Sequence, residues 1–300
     1  MNWDWEISRL VLAIMAGTVL SHTGSLVQLT SRNEMASPST MGMDGVAVAI
    51  VLLIYLLQSA FSLPYTLEEL GLITVIVCAV ALRFLPARLI PYQGARGQDF
   101  RFMLLLGLSI NLLVGAVFAV MQFLAMAFDH EFPDQLWFGR IDTLAPLHLV
   151  GSLIVMIGLL LIGLRHRLQW KALLLGHGWC HGLGIPVQQV TKDALWIAFV
   201  GNLWVITQFG AFSFLGLLFP ILLRQIPRYQ GHPWRELTEG ALVSGLLFAL
   251  LDHACFNLTF HGAEIPVGLP ASMIGSAVLV ILLWRRFLSS GSLGKDPQRV

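Results

Sequence analysis

Asp252 and His253 stand side by side inside a long apolar stretch, and His22 stands inside another. Ionisable groups in such surroundings are costly to keep, so an acid and two imidazoles there are candidates for relaying protons. His177 and His181 sit one helical turn apart with Cys180 between them, a spacing that could begin a zinc site. No carboxylate or further histidine lies nearby to complete it, so no metal is expected. HExxH, GxSxG, GxxxxGKS and GxxxxGKT are all absent. The chain therefore has no recognisable residues for metal-assisted hydrolysis, acyl transfer or ATP binding, and neither a catalytic residue nor a cofactor is expected. Cys78, Cys180 and Cys255 are far apart without a CxxC pair, which reads as three small buried thiols.

The elements that must carry these residues follow from composition. The 300 residues are 56% hydrophobic and 12% charged, and the mean hydropathy is +0.76. Ordinary soluble domains run near 25% charged. With only 18 Lys and Arg and 17 Asp and Glu, the chain cannot cover a soluble core with charge, so the remaining surface faces lipid. A net charge of +1 supplies no field for nucleic acid. The start, MNWDWEISRL, lacks the basic segment and cleavage pattern of a signal peptide, so the first apolar stretch is expected to remain in the mature protein.

A hydrocarbon core of about 30 Å needs about 20 apolar residues per helix. Eight stretches meet that length, near residues 7–29, 44–62, 66–86, 102–128, 145–164, 190–209, 237–257 and 268–288. Phe212 to Ile226 is a shorter ninth. Counting it as a span, with the N-terminus outside, sends all but Arg9 and Arg140 of the 18 Lys and Arg to one side. The other side collects Asp4, Glu6, Glu68, Glu69, Asp129, Glu131, Asp134, Asp142 and Glu264. By the excess of Lys and Arg in cytoplasmic loops, the C-terminus is cytoplasmic. The expected fold class is an all-α, polytopic transmembrane bundle of about nine spans, forming one domain over 1–300.

Four segments carry a more specific signal. Arg9 to Gly17 continues into His22-Thr-Gly24-Ser-Leu-Val-Gln28, then Ser31-Arg32-Asn33-Glu-Met-Ala-Ser37-Pro38-Ser-Thr-Met-Gly42. Phe214-Leu-Gly216-Leu-Leu-Phe-Pro220-Ile-Leu-Leu-Arg224 has a proline inside an apolar helix. Glu264-Ile-Pro266-Val-Gly268 is followed by Gly275 and preceded by Asp252. Leu175-Gly176-His177-Gly-Trp179-Cys-His-Gly-Leu183-Gly184-Ile-Pro186-Val187 lies between two spans. In this order, from Arg9 to Arg286, the blocks resemble the permease subunits of iron-siderophore and vitamin B12 type ABC importers, the FecCD-like family. The departures are Ile221 where the family has His, Glu6 where it has a second basic residue, and nine spans against its usual ten, the first apparently missing.

The resemblance implies roles for particular residues. The segment about 172–186 is the family's coupling helix, so Leu175, Gly176, Trp179, Leu183 and Gly184 would meet cytoplasmic ATP-binding subunits. Gln28, Asn33, Ser37, Pro38, Gly216 and Pro220 would border the translocation pathway. Arg9 and Glu264 would meet a periplasmic or lipid-anchored siderophore-binding protein. A second permease subunit, identical or homologous, would complete the pathway in a bacterial inner membrane. The cargo implied is a ferric siderophore, with the wording around Arg32 and Ser37 closest to the catecholate branch; haem or cobalamin is the alternative cargo. A proton-coupled secondary transporter using Asp252, His253 or His22 is the alternative mechanism, and inverted repeats that would favour it are not evident.

Overall fold

The computed structural model describes residues 3–61, 67–84, 97–128, 135–141, 146–175, 177–260 and 263–293. Helices dominate: α1 (Trp3–Ser31), α2 (Met43–Phe61), α3 (Leu67–Arg83), α4 (Gly97–Ala127), α5 (Gln135–Phe138), α6 (Pro146–Arg165), α7 (Arg167–Leu175), α8 (His177–Gly182), α9 (Val187–Phe209) and α10 (Leu215–Arg224). There follow α11 (Pro233–Arg235), a π-helical turn (Glu236–Gly240), α12 (Ala241–Asn257), a two-residue hairpin of β1 (Thr259–Phe260) and β2 (Ala263–Glu264), and α13 (Gly268–Leu293). Each apolar stretch expected from the sequence holds a helix.

Among the described residues four helices are long and apolar enough to cross a membrane, and α6 with α7 forms a fifth, bent pair. The count of nine spans is therefore an expectation that helix length alone does not reach. Phe212 to Ile226 shows why: α10 has ten residues, and at 1.5 Å per residue it covers only about 15 Å.

α1 is the axis of the bundle. In its most apolar stretch 83% of residues are buried, against 11% for α4. It packs against α12, α9 and α10, while α2 and α3 pack on α9, and α4 on α2. The sequence of α1 explains this placement. Thr18, Ser21, His22, Thr23, Ser25, Gln28 and Thr30 are too polar for lipid, and all are buried. Thr18, Thr23 and Thr30 return their hydroxyls to backbone carbonyls of their own helix, and Ser21 donates across to Ser244 Oγ on α12 at 3.0 Å.

Close approach also needs small residues. A Cβ on Gly24 would collide with the Gly216 backbone of α10, and one on Gly245 would strike Thr18 and the Ile14 carbonyl. These contacts bring α10 and α12 onto α1 backbone to backbone. Gly24→Leu is expected to lower the thermal unfolding midpoint in detergent, at a cost of about 1–3 kcal/mol or more. Gly158→Ala, where a Cβ meets nothing within 4 Å, should leave the midpoint unchanged or raise it slightly. An unchanged midpoint for Gly24→Leu would remove α10 from α1.

Candidate functional site

From Arg9 to Gln28 along α1 is 19 steps, about 29 Å, close to the thickness of a bilayer core. Polar clusters sit at both ends. At the Arg9 end, Nε donates to Asp252 Oδ2 at 2.8 Å and Nη2 to Asp252 Oδ1 at 3.1 Å. Nη1 reaches Glu264 Oε2 at 3.3 Å, and the guanidinium lies 4.4 Å from the Phe256 ring centre. Arg9 is 5% exposed and Asp252 2%, while Glu264 is partly exposed. Two parallel N–H to carboxylate bonds in a dry site make a strong, directional pair. The pair ties α12 to α1, and Glu264 adds the hairpin. His253, beside Asp252, contributes its backbone carbonyl to Asn257 and is exposed, so the partner of Asp252 is Arg9, 243 residues away.

At the other end, Gln28 donates to the Leu217 carbonyl at 3.2 Å and accepts from Arg224 Nη1 at 2.8 Å. Arg224 closes on Glu236 with bonds of 2.9 and 2.6 Å. Glu236 opens the π-helical turn, a local widening that recurs at functional sites. Outside the spans, the hydrogen bond and charge of Glu239 raise the Arg228 guanidinium above its ordinary value. A cavity of about 440 Å³ opens here, and Gln28, Asn33, Arg32, Arg224 and Glu236 are in its wall.

The turn between α1 and α2 is a third cluster. Ser37 and Thr40 hold each other through side chain and backbone. Ser39 donates to Asp44 Oδ2 and Asn202 of α9 donates to Asp44 Oδ1 at 2.8 Å. Asn111 of α4 accepts from Gly45 N–H and donates to the Ser39 carbonyl. The motifs in the sequence do not single out Asp44, Asn111 or Asn202, though a lone polar residue in an apolar helix is the signal that could have found them.

Of the residues expected along a pathway, Gln28 and Asn33 are brought together at the cavity. Ser37, Pro38, Gly216 and Pro220 are buried in helix packing, with Pro38 seated against Gly216. Arg9 and Glu264 are joined to one another.

The segment expected to meet an ATPase is built differently. α7 turns 63° from α6 at His166. Trp170 and Leu173 are buried, whereas Leu168 and Leu174 are exposed. Leu175 ends α7, and Gly176 lies outside the described residues. In α8, Cys180 is buried and its thiol donates to the Ala172 carbonyl at 3.2 Å, anchoring the short helix on α7. That anchor leaves Trp179 71% and Leu183 62% exposed. Gly184 takes φ +69°, a left-handed turn that glycine adopts without strain, and the chain enters α9 a few residues later.

The model of the FecCD transport family matches residues 1–285. The chain belongs to this family. It is 26% identical to the iron(3+)-hydroxamate import system permease protein of Bacillus subtilis (strain 168), over 94% of this chain and 83% of that protein. It is also 26% identical to the hemin transport system permease protein of Yersinia pestis, over 94% and 82%. A solved structure titled as an inward-facing conformation of a metal-chelate type ABC transporter superposes with a TM-score of 0.72, covering 93% of this chain and 85% of that one at 18% identity. In this FecCD chain the Arg9 pair is part of the fold's framework.

Removing one partner of a buried pair leaves a stranded charge and costs about 3–5 kcal/mol. Arg9→Met is expected to destabilise the detergent-solubilised protein by that amount, and Arg9→Met with Asp252→Leu to recover most of it. Equal losses in the single and double variants, by thermal unfolding, would mean that the pair is not formed.

Proposed function

We propose that the chain is the membrane-spanning permease of an ATP-binding-cassette importer that carries ferric siderophore, of the catecholate kind, across a bacterial inner membrane. The observation that carries the mechanism is the exposed apolar pair formed by Trp179 on α8 and Leu183 just past its end. Trp179 stands out from a helix anchored through the adjacent Cys180, and Leu183 is exposed in the turn that follows it. Exposed aromatic and aliphatic side chains on a short helix are what a partner's groove accepts. The neighbouring Arg165, Arg167 and Lys171 favour the cytoplasmic side for this turn by the positive-inside rule. There it meets the ATP-binding subunits, and the C-terminus lies on the same side.

Family membership and the relatives' names support transport of an iron chelate or haem. The catecholate assignment comes from the wording around Arg32 and Ser37. A second permease subunit, identical or homologous, faces this one across the pathway. A periplasmic or lipid-anchored binding protein delivers cargo at the Arg9 end, with Glu264 as the acid accessible to it. ATP binding and hydrolysis then move the pair of permeases between outward-open and inward-open states as rigid bodies. This chain moves cargo and makes no bonds.

Reconstitution with the ATP-binding subunits and binding protein tests this. Uptake of a ferric catecholate siderophore is expected to require ATP, and Trp179→Glu to reduce it at least ten-fold. Replacement of Gly184 by a bulky residue should do the same, because φ +69° disfavours any side chain there. Uptake driven by a proton gradient without any ATPase would overturn the reading.

A further inference from the structure

Three buried polar atoms where α1 meets the bend between α6 and α7 have no hydrogen-bond partner among the described residues: His22 Nε2, Ser25 Oγ and Trp170 Nε1. Their residues are 1%, 2% and 0% exposed, so bulk water does not serve them either. Buried polar atoms are almost always paired, and an exception calls for a reason. Ser25 also departs from the habit of its own helix, since Thr18, Thr23 and Thr30 return their hydroxyls to α1 carbonyls.

The three groups sit on facing surfaces. His22 and Ser25 are three residues apart, so they share one face of α1, about 4.5 Å apart along its axis. Trp170, Leu173 and Leu174 share one face of α7 by the same kind of spacing. Leu173 and Leu174 line the cavity wall together with Ser25 and Leu29, which turns that face toward α1, and the two helices pack directly. At the other end of the contact the Gly163 backbone lies against the His22 ring, where a Cβ would come within 3.1 Å of Cε1. Trp170 stands between Gly163 and Leu173 along the sequence, beside His166 at a ring-centre distance of 5.8 Å. It is enclosed at the level of His22 and Ser25.

Their chemistry is matched. His22 Nδ1 is 2.7 Å from the Leu237 carbonyl, which can only accept, so Nδ1 carries the ring proton and Nε2 is left as an acceptor. The Trp170 indole N–H only donates, and a serine hydroxyl does both. One donor, one group that donates and accepts, and one acceptor saturate each other with nothing left over.

We propose that α1 and α7 carry a latent hydrogen-bond latch, Trp170 Nε1–H to Ser25 Oγ and Ser25 Oγ–H to His22 Nε2, which is open in this conformation and closes when α7 shifts on α1. The helix is placed to shift. It leaves α6 at a 63° bend, and its Leu173 and Leu174 border about 440 Å³ of open space. Its Ala172 carbonyl holds α8 through the Cys180 thiol, so a push on α8 reaches α7. The latch gives the axis helix two discrete holds on this segment, as a two-state coupling element requires. That an ATP-binding subunit drives the shift rests on the proposed function; the matched, open groups do not.

The test uses the full chain with its ATP-binding subunits in lipid, with the indole nitrogens labelled for solid-state NMR. The Trp170 signal is the one missing in Trp170→Phe. It is expected to differ between the nucleotide-free complex and the complex holding a non-hydrolysable ATP analogue, with a downfield shift in the state that closes the latch. Ser25→Ala should abolish the difference. A signal that is the same in both states, or a shift that survives Ser25→Ala, overturns the latch even where uptake requires ATP. A second readout needs no ATPase. In the permease alone the Ser25 hydroxyl is unpaired, so Ser25→Ala should leave the thermal unfolding midpoint unchanged or raise it. A lowered midpoint would mean that Ser25 is already bonded, and that also overturns the latch. Uptake without ATP would strike the proposed function and leave the midpoint comparison to decide the latch.

Discussion

Hydrocarbon offers nothing to a hydroxyl, an amide or an imidazole, and α1 carries seven such side chains between Thr18 and Thr30. That helix can exist in a membrane only if protein surrounds it. The rest of the bundle follows from this requirement: α9, α10 and α12 cover α1, and α2, α3 and α4 pack outside them. Coverage by backbones in contact needs residues without bulk, which Gly24, Gly216 and Gly245 provide. Most polar groups of α1 are satisfied by the helix's own carbonyls, by Ser244 and by the Leu217 and Leu237 carbonyls, while Ser25 Oγ and His22 Nε2 have no hydrogen-bond partner among the described residues.

The two ends of α1 are held by different physics. At Arg9 the contacts are dry, ion-paired and two-pronged, so α12 and the hairpin are fixed to the axis. At Gln28 the bidentate Arg224 and Glu236 pair borders an open cavity, and α7 packs nearby with Trp170 and Leu173 buried. Trp179 on the anchored α8, and Leu183 just past its end, are exposed. Between the ends, Asp44 joins the α1–α2 turn to α9 through Asn202.

Local patterns in the sequence determined the all-α class, the positions of the apolar helices, and the motifs that led to the family. These depend on runs of about 20 residues or on fixed short offsets, both of which are written along the chain. The same patterns could not tell which helix is the axis, although the polar residues of α1 were visible. Nor could they give Arg9 its partner 243 residues away, separate Glu264 from a purely docking role, or show that α10 has ten residues and that a π turn precedes α12. Those outcomes depend on which surfaces meet in three dimensions. A buried charge takes whichever opposite charge the packing brings within hydrogen-bond reach, and only the assembled bundle decides that.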